Sequence, residues 1–209
     1  MYKVTISKEA VNEMPIVAFP GEIYIIDSMS KVNEAVRILR KYDIVGFDTE
    51  TRPSFRKGVV HKVALLQFST PNECFLFRLN KIGMPTTLKK YIEDTTTIKV
   101  GLSVHDDFKA LNRLAPVEPK GFIDMQQLAL SHDISDISLQ KIYAILFGKR
   151  ISKSQQLSNW EAEELSEAQQ RYASIDAWAC INIYNYLSSG DFIPEESPYY
   201  TYIENEEVK

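Results

Sequence analysis

Apolar residues recur at helical spacing through residues 30–41, where Val32, Ala35, Val36, Ile38 and Leu39 share one side behind a serine N-cap. Immediately after, Ile44-Val45-Gly46-Phe47 is a short run of β-type residues that leads into Asp48-Thr49-Glu50, and a basic loop containing Pro53 follows. Residues 63–68 and 74–77 are apolar runs flanking a turn at Pro71-Asn72, which predicts a hairpin. Further on, 86–94 reads as a short helix and 98–102 as a buried strand ending just before Asp106-Asp107, with a helix through Leu111 and Leu114 behind it. From Phe122 the period is helical: 123–130, then 138–147 closed by Gly148, then a long helix over 166–187, before Pro194 and Pro198 break the pattern. Three early strands, one strand after a helix and helices last predict an open α/β domain, a mixed central β-sheet flanked by helices on both faces.

Composition sharpens this. The 209 residues suit one core, and 44% hydrophobic with 25% charged residues is the make-up of an ordinary globular chain. No apolar run approaches the roughly 20 residues needed to cross a bilayer, and charges interrupt the opening MYKVTISKEAVNEMP, so the expectation is a cytoplasmic protein with no membrane partner. Cys74 and Cys180 stand far apart with no CxxC spacing, which argues against a disulfide framework or a zinc site and for two buried small hydrophobes. The formal charge of −4 gives no global pull on a polyanion, but Asp191, Glu195, Glu196, Glu204, Glu206 and Glu207 stand against Lys209 alone in the last stretch, leaving a body near +1. The expected organisation is an N-terminal segment over 1–26, a domain over 27–190 and an acidic tail over 191–209.

Three groups of carboxylates carry the candidate chemistry. Asp48 and Glu50 close an apolar strand with one residue between them, and the two-residue strand period turns both to one face. Converging like charges need a proton, a basic partner or a divalent cation, and hard cations such as Mg²⁺ take oxygen ligands of this kind; a solvated strand end beginning a turn would carry the same DxE. Asp106 and Asp107 fall where a strand gives way to a helix, which suits N-caps as well as a site. Tyr172 and Asp176 are four apart on one helical face. Because Ala173, Ile175, Ala177, Ala179, Cys180 and Ile183 make that helix apolar around much of its circumference, an unpaired Asp176 would be costly, and a metal or the tyrosine itself is the partner it calls for.

Taken in order, FDTET (47–51), VGLSVHDDFKAL (100–111) and YASIDAW (172–178) resemble the three exonuclease motifs of the DEDD superfamily, in its tyrosine-containing subgroup. HKVALLQFST (61–70) with CFLFRL (74–79) resembles the hairpin of ribonuclease D and Werner-syndrome exonuclease domains, and LSNWEAEELSEAQQRYASIDAW (157–178) their approach to the third motif. The likeness covers approximately 27–187. It implies an RNase H-like fold and hydrolysis of DNA or RNA from the 3′ end with release of 5′-mononucleotides. It also implies metal ligation by Asp48, Glu50, Asp107 and Asp176, with Tyr172 orienting the attacking water. Spacing from Gly101 and to Leu111 favours Asp107 over Asp106 as the ligand. Four carboxylates can hold two ions, Mg²⁺ or Mn²⁺, about 4 Å apart, one generating hydroxide and the other stabilising the leaving 3′ oxygen. The choice of sugar depends on contacts to a 2′-OH, to which no residue can be tied, and the Werner-type likeness inclines toward DNA.

The residues expected at the substrate are Thr49 and Thr51 beside the acids, Arg52, Arg56 and Lys57 in the loop that follows, and Lys153. A solvated loop would hold the same basic residues. Lys149, Arg150 and Lys153 precede Trp160, which fits core packing better than base stacking. His61, His105 and His132 are isolated and receive no catalytic role, since Tyr172 fills the place that a histidine takes in the sister subgroup. Two other functions suit the same residues less well: a binding or scaffold domain without catalysis, and a phosphohydrolase closed around short oligonucleotides.

Overall fold

In the computed structural model, residues 1–56 and 58–202 are described. In chain order they form β1 (Tyr2–Val4), α1 (Lys8–Asn12), β2 (Glu22–Ile26), α2 (Met29–Leu39), β3 (Ile44–Thr51), β4 (Val63–Ser69), β5 (Glu73–Phe77), α3 (Leu79–Ile82), α4 (Thr86–Ile92), β6 (Ile98–Gly101), α5 (Val104–Leu114), β7 (Phe122–Asp124), α6 (Met125–Ser131), α7 (Leu139–Phe147), α8 (Glu167–Ser188) and β8 (Tyr200–Tyr202). Six strands make one mixed sheet in the order β2-β5-β4-β3-β6-β7. The β3-β4-β5 meander is antiparallel, and β2, β6 and β7 join it by parallel pairings. All seven residues of β4 are buried, as befits a central strand covered on both faces.

Strand alternation sorts the core into two layers. On one face Phe47, Leu66, Phe68, Phe75 and Phe77 pack with Val36 and Leu39 of α2, Leu88 and Tyr91 of α4 and Leu111 of α5. On the other, Leu65, Cys74 and Leu76 meet Trp160, Tyr172 and Ala173, while Val100 packs with Ile142, Ala179, Cys180 and Ile183. Both cysteines are free and buried, as expected. No helix among the described residues is long and apolar enough to cross a membrane.

The structure departs from the sequence expectations at several ends. The serine at the start of α2 is Ser28, with Ser30 already inside the first turn. Phe122 and Ile123 are strand residues paired with Lys99 and Val100, and the helical period starts at Met125 behind Asp124, whose side chain accepts from the Gln126 amide. Three strand residues are too few for alternation to declare itself in a sequence. Residues 1–26, expected as a segment apart, supply the edge strand β2 and place Val4, Ile6, Val11 and Val17 in the layer built on α6, α7 and α8. The proline-marked C-terminal stretch holds a 3₁₀ turn, Pro194–Glu196, and β8, which pairs antiparallel with β1. Glu204, Glu206 and Glu207 of the expected acidic tail, like Lys57, lie outside the described residues.

The contact that decides where the helices sit is between α8 and β3. α8 opens on a capping box in which Gln169 N donates to Ser166 Oγ (3.3 Å) and Ser166 N to Gln169 Oε1 (3.1 Å). It then crosses β3 so closely that a Cβ placed on Gly46 would lie 1.8 Å from the Ala177 carbonyl oxygen. Backbone, not a flexible side chain, blocks that position. Gly46→Ala is therefore expected to cost about 1–3 kcal/mol of stability through overpacking and to lower activity by lifting α8. Unfolding in denaturant measures the first, and a midpoint equal to wild type would reject this packing.

Candidate active site

Asp48 and Glu50 lie on the α8 side of β3, and Asp176 on α8 faces them one residue from the Gly46 contact. One carboxylate oxygen of each lies within 4.8 Å of the others. All three are half-buried, and Asp48 and Asp176 line a cavity of about 220 Å³ with Leu102, Ile151, Lys153 and Tyr172. Desolvation is the first cause of an upward pKa shift in every member. Asp48 is raised well above the usual carboxylate range, further driven by the charges of Asp107, Glu50 and Asp176. Glu50 is pushed up to about 9 by burial and then by Asp176 and Asp107. Asp176 reaches about 7, restrained by the Tyr172 hydroxyl and by the Lys153 charge.

Asp107 stands beside this triplet, its charge acting on both Asp48 and Glu50. It projects from the first turn of α5 and accepts a hydrogen bond from the Thr49 hydroxyl, which leaves β3 on the opposite face from Asp48. Burial lifts it to about 7 against the pull of Thr49. Asp106 next to it is exposed and paired with Lys109 at 2.9 Å, so the two neighbours have different environments. Neither aspartate is an N-cap. Ser103 holds that position in a left-handed conformation (φ 56°) without a side-chain bond, and Asp124 of β7 caps the helix from outside, accepting from the Ser103 and Val104 amides at 3.2 and 3.1 Å.

Tyr172 is buried, one helical turn before Asp176, with its ring centroid 6.0 Å from that of the fully buried Trp160. Trp160 is thus a packing residue, as expected. Burial first, then the charges of Asp176, Glu50 and Asp48, holds the Tyr172 phenol far above its ordinary pKa, so it keeps its proton. Among the residues expected at the substrate, Lys153 lines the cavity, Thr51 ends β3 beside a bulge, and Arg56 is exposed in the loop. Arg52 instead pairs with Glu161 at 3.2 Å, and His61 Nδ1 lies 3.5 Å from the same carboxylate. His105 packs edge-on against Phe108, and His132 Nδ1 lies 2.9 Å from the Leu128 carbonyl. Sequence reasoning missed Gly46, Asp124 and the Thr49–Asp107 bond. Each acts across elements distant in the chain, and only the glycine left a signal, by interrupting an apolar strand run.

The family model for the 3′-5′ exonuclease domain matches residues 23–190. The chain belongs to this 3′-5′ exonuclease family. A 3′-5′ exonuclease of Arabidopsis thaliana is 31% identical over 198 residues, which is 87% of this chain and 69% of that protein. The bifunctional 3′-5′ exonuclease/ATP-dependent helicase WRN of Mus musculus is 28% identical over 90% of this chain but only 14% of its own length. The solved Trypanosoma brucei RNase D complex with RNA U12 superposes with a TM-score of 0.72 at 19% identity, over 84% of this chain and 65% of that one, and so shares the fold. The mixed sheet between helical layers is accordingly the RNase H-like fold, and the chain is an exonuclease acting on nucleic acid. DEDD exonucleases use divalent metal ions, and the triplet fits them: oxygen donors alone, converging, with no lysine or arginine ion-paired to them among the described residues.

The shifted carboxylates set a pH dependence. Protons that the unfolded chain releases near pH 4 stay on the folded exonuclease up to about 7 at Asp107 and Asp176 and about 9 at Glu50. The folded state binds more protons in that window, so stability is full at its acidic end and falls as pH rises through it. In EDTA the melting temperature is expected to drop between pH 5 and 9, more shallowly in Glu50→Gln, and saturating Mg²⁺ should flatten the fall. A metal-free melting temperature that rises with pH over this range would contradict the arrangement.

Proposed function

We propose that this exonuclease removes nucleotides one at a time from the 3′ end of DNA or RNA as 5′-mononucleotides, with Asp48, Glu50, Asp107 and Asp176 as ligands for two divalent ions, Mg²⁺ or Mn²⁺. One observation carries the reading: three carboxylates gathered within 4.8 Å, with the charge of Asp176 adding to burial in raising the pKa of both Asp48 and Glu50 and no lysine or arginine ion-paired to any of the three among the described residues. When bound, such ions supply Lewis acidity that makes water a better nucleophile and stabilises charge on a leaving oxygen.

The chain's own groups divide the remaining work. The Tyr172 hydroxyl, kept protonated and held against Trp160, is a hydrogen-bonding group rather than a base, suited to fixing the direction of a water molecule beside Asp176. Lys153 at the cavity wall offers a cation to substrate phosphate without entering the carboxylate cluster. Thr51, Arg56 and Lys57 follow the acids directly in the chain and are assigned to the substrate backbone. The Thr49 hydroxyl is engaged by Asp107, so Thr49 approaches substrate through its main chain. Arg52 joins the phosphate contacts once substrate competes with Glu161 for its guanidinium. Either sugar suits these contacts, since they address phosphates.

Labelled oligonucleotides with free 3′ ends test the reading. Shortening to 5′-mononucleotides is expected in Mg²⁺ or Mn²⁺ and not in excess EDTA. Asp107→Ala should abolish turnover, while Asp106→Ala, an exposed change, should stay within about 0.5 kcal/mol of wild-type stability and near wild-type rate. Undiminished cleavage in EDTA would end the metal reading, and the opposite behaviour of the two aspartates would move the ligand by one residue.

Tyr172→Phe keeps the ring against Trp160 and removes only the hydroxyl. A fall in kcat of about 10² or more with an unchanged melting temperature is expected. Wild-type turnover in this variant would reduce Tyr172 to packing.

A further inference from the structure

β3 and β4 pair antiparallel with Gln67 directly opposite Asp48. Opposed residues in such a pair present their side chains to one face, with Cβ atoms about 4.5–5.5 Å apart. On its other flank Gln67 faces Leu76 of β5, so Asp48 is its polar cross-strand neighbour. Gln67 is fully buried, and neither its Nε2 nor its Oε1 has a hydrogen-bond partner among the described residues. Trp160 Nε1 is also unpaired on this side of the sheet, but three other buried polar side chains are engaged. The Ser69 hydroxyl donates to the Thr70 carbonyl at 3.0 Å and the Ser174 hydroxyl to the Arg171 carbonyl at 2.9 Å, and the Gln169 amide donates to Ser158 Oγ at 3.1 Å.

An idle amide in a fully buried strand breaks a local rule without gain, since Met or Leu fills such a site with no polar group to desolvate. What an amide offers beside a metal-type carboxylate is a hydrogen-bond donor that brings no charge. Lysine or arginine at the same place would neutralise Asp48 and compete with a cation, and aspartate or glutamate would add a further repulsive charge.

We infer that Gln67 is a positioning residue for Asp48: its Nε2 amide, unpaired in this structure, would turn to donate to the Asp48 carboxylate when the acids hold a cation, and keep that carboxylate directed toward Glu50 and Asp176. This rests on the reading of the four acids as divalent-cation ligands and adds the outer group that orients one of them. Gln67 is fully buried, so its effect would reach the reaction through Asp48.

Gln67→Met tests it, because methionine keeps the length of the side chain and removes both polar atoms. Without metal the variant is expected to melt at or above the wild-type temperature. Its Mn²⁺ dissociation constant, measured by calorimetry, should rise about 10–100-fold, and kcat should fall comparably while KM for an oligonucleotide stays put. A merely structural glutamine would lower stability and leave Mn²⁺ affinity unmoved. Mn²⁺ affinity and kcat within twofold of wild type in a folded Gln67→Met would overturn the positioning role alone, whereas wild-type protein that binds no Mn²⁺ would take down the metal reading with it. Should Gln67→Met fail to fold, the wild-type Gln67 side-chain NH₂ resonances decide. Addition of Mg²⁺ is expected to shift one proton downfield as the bond to Asp48 forms, and resonances that stay in place would refute it.

Discussion

Everything at the active site depends on how close α8 comes to β3. The Ala177 carbonyl sits where a Gly46 side chain would be, so the helix backbone rests on the strand backbone. Asp176 is the neighbour of Ala177, and Asp48 is two residues along the strand from Gly46. The contact thus sets the depth at which one carboxylate meets the other two. A helix held off the strand would carry Asp176 away from Asp48 and Glu50, and the part of their raised pKa that comes from its charge would relax with distance. The absence of a side chain at residue 46 is what converts three ordinary acids into one site.

Keeping the acids together is unfavourable by itself, and the surrounding fold offsets it with contacts that have no chemical role. Apolar layers cover both faces of the sheet, and β4 runs buried along its whole length through the middle. The candidate site side chains come from three elements, β3, α5 and α8, each with its own fastening. Asp48 and Glu50 follow from strand alternation. Asp176 rides on the capped α8, with Tyr172 one turn earlier against Trp160. Asp107 is the most elaborate case: α5 starts at a left-handed Ser103, is capped by Asp124 from the neighbouring strand, and delivers an aspartate that Thr49 then holds. Strain and like charge are tolerated at such places because the rest of the structure determines them.

The parts legible in the sequence are those whose signals are local. The hairpin, α7 between Ser138 and Gly148, and α8 behind Ser166 carry unambiguous periodicity and caps, and DxE on a strand and YxxxD on a helix are face relations within one element. What escaped depends on partners far along the chain. β2 is five residues whose membership of the sheet is decided by β5, about fifty positions later. β7 is three residues that become a strand by pairing with β6. Arg52 has the composition of a phosphate contact, yet in the folded chain it meets Glu161. Asp106 and Asp107 differ only in helical phase, which periodicity offers without saying which side faces β3; the exposed ion pair with Lys109 on one and the Thr49 bond on the other separate them.

The electrostatics of the chain also explain why the basic residues stay at the rim. With a formal charge of −4 the protein exerts no general attraction on a polyanion, and any acid of the cluster that has lost its proton repels phosphate locally. Lysines set among the acids would relieve that repulsion, but they would also occupy the place of a cation and fix the local charge whether or not substrate is present. Under the metal-ligand proposal, keeping Lys153 on the wall rather than among the acids makes attraction for a phosphodiester conditional on what the carboxylates hold. On the proposed reading, the site that rejects nucleic acid when its acids are bare is the site that grips it when they are neutralised, so binding and readiness to cleave arise from the same event.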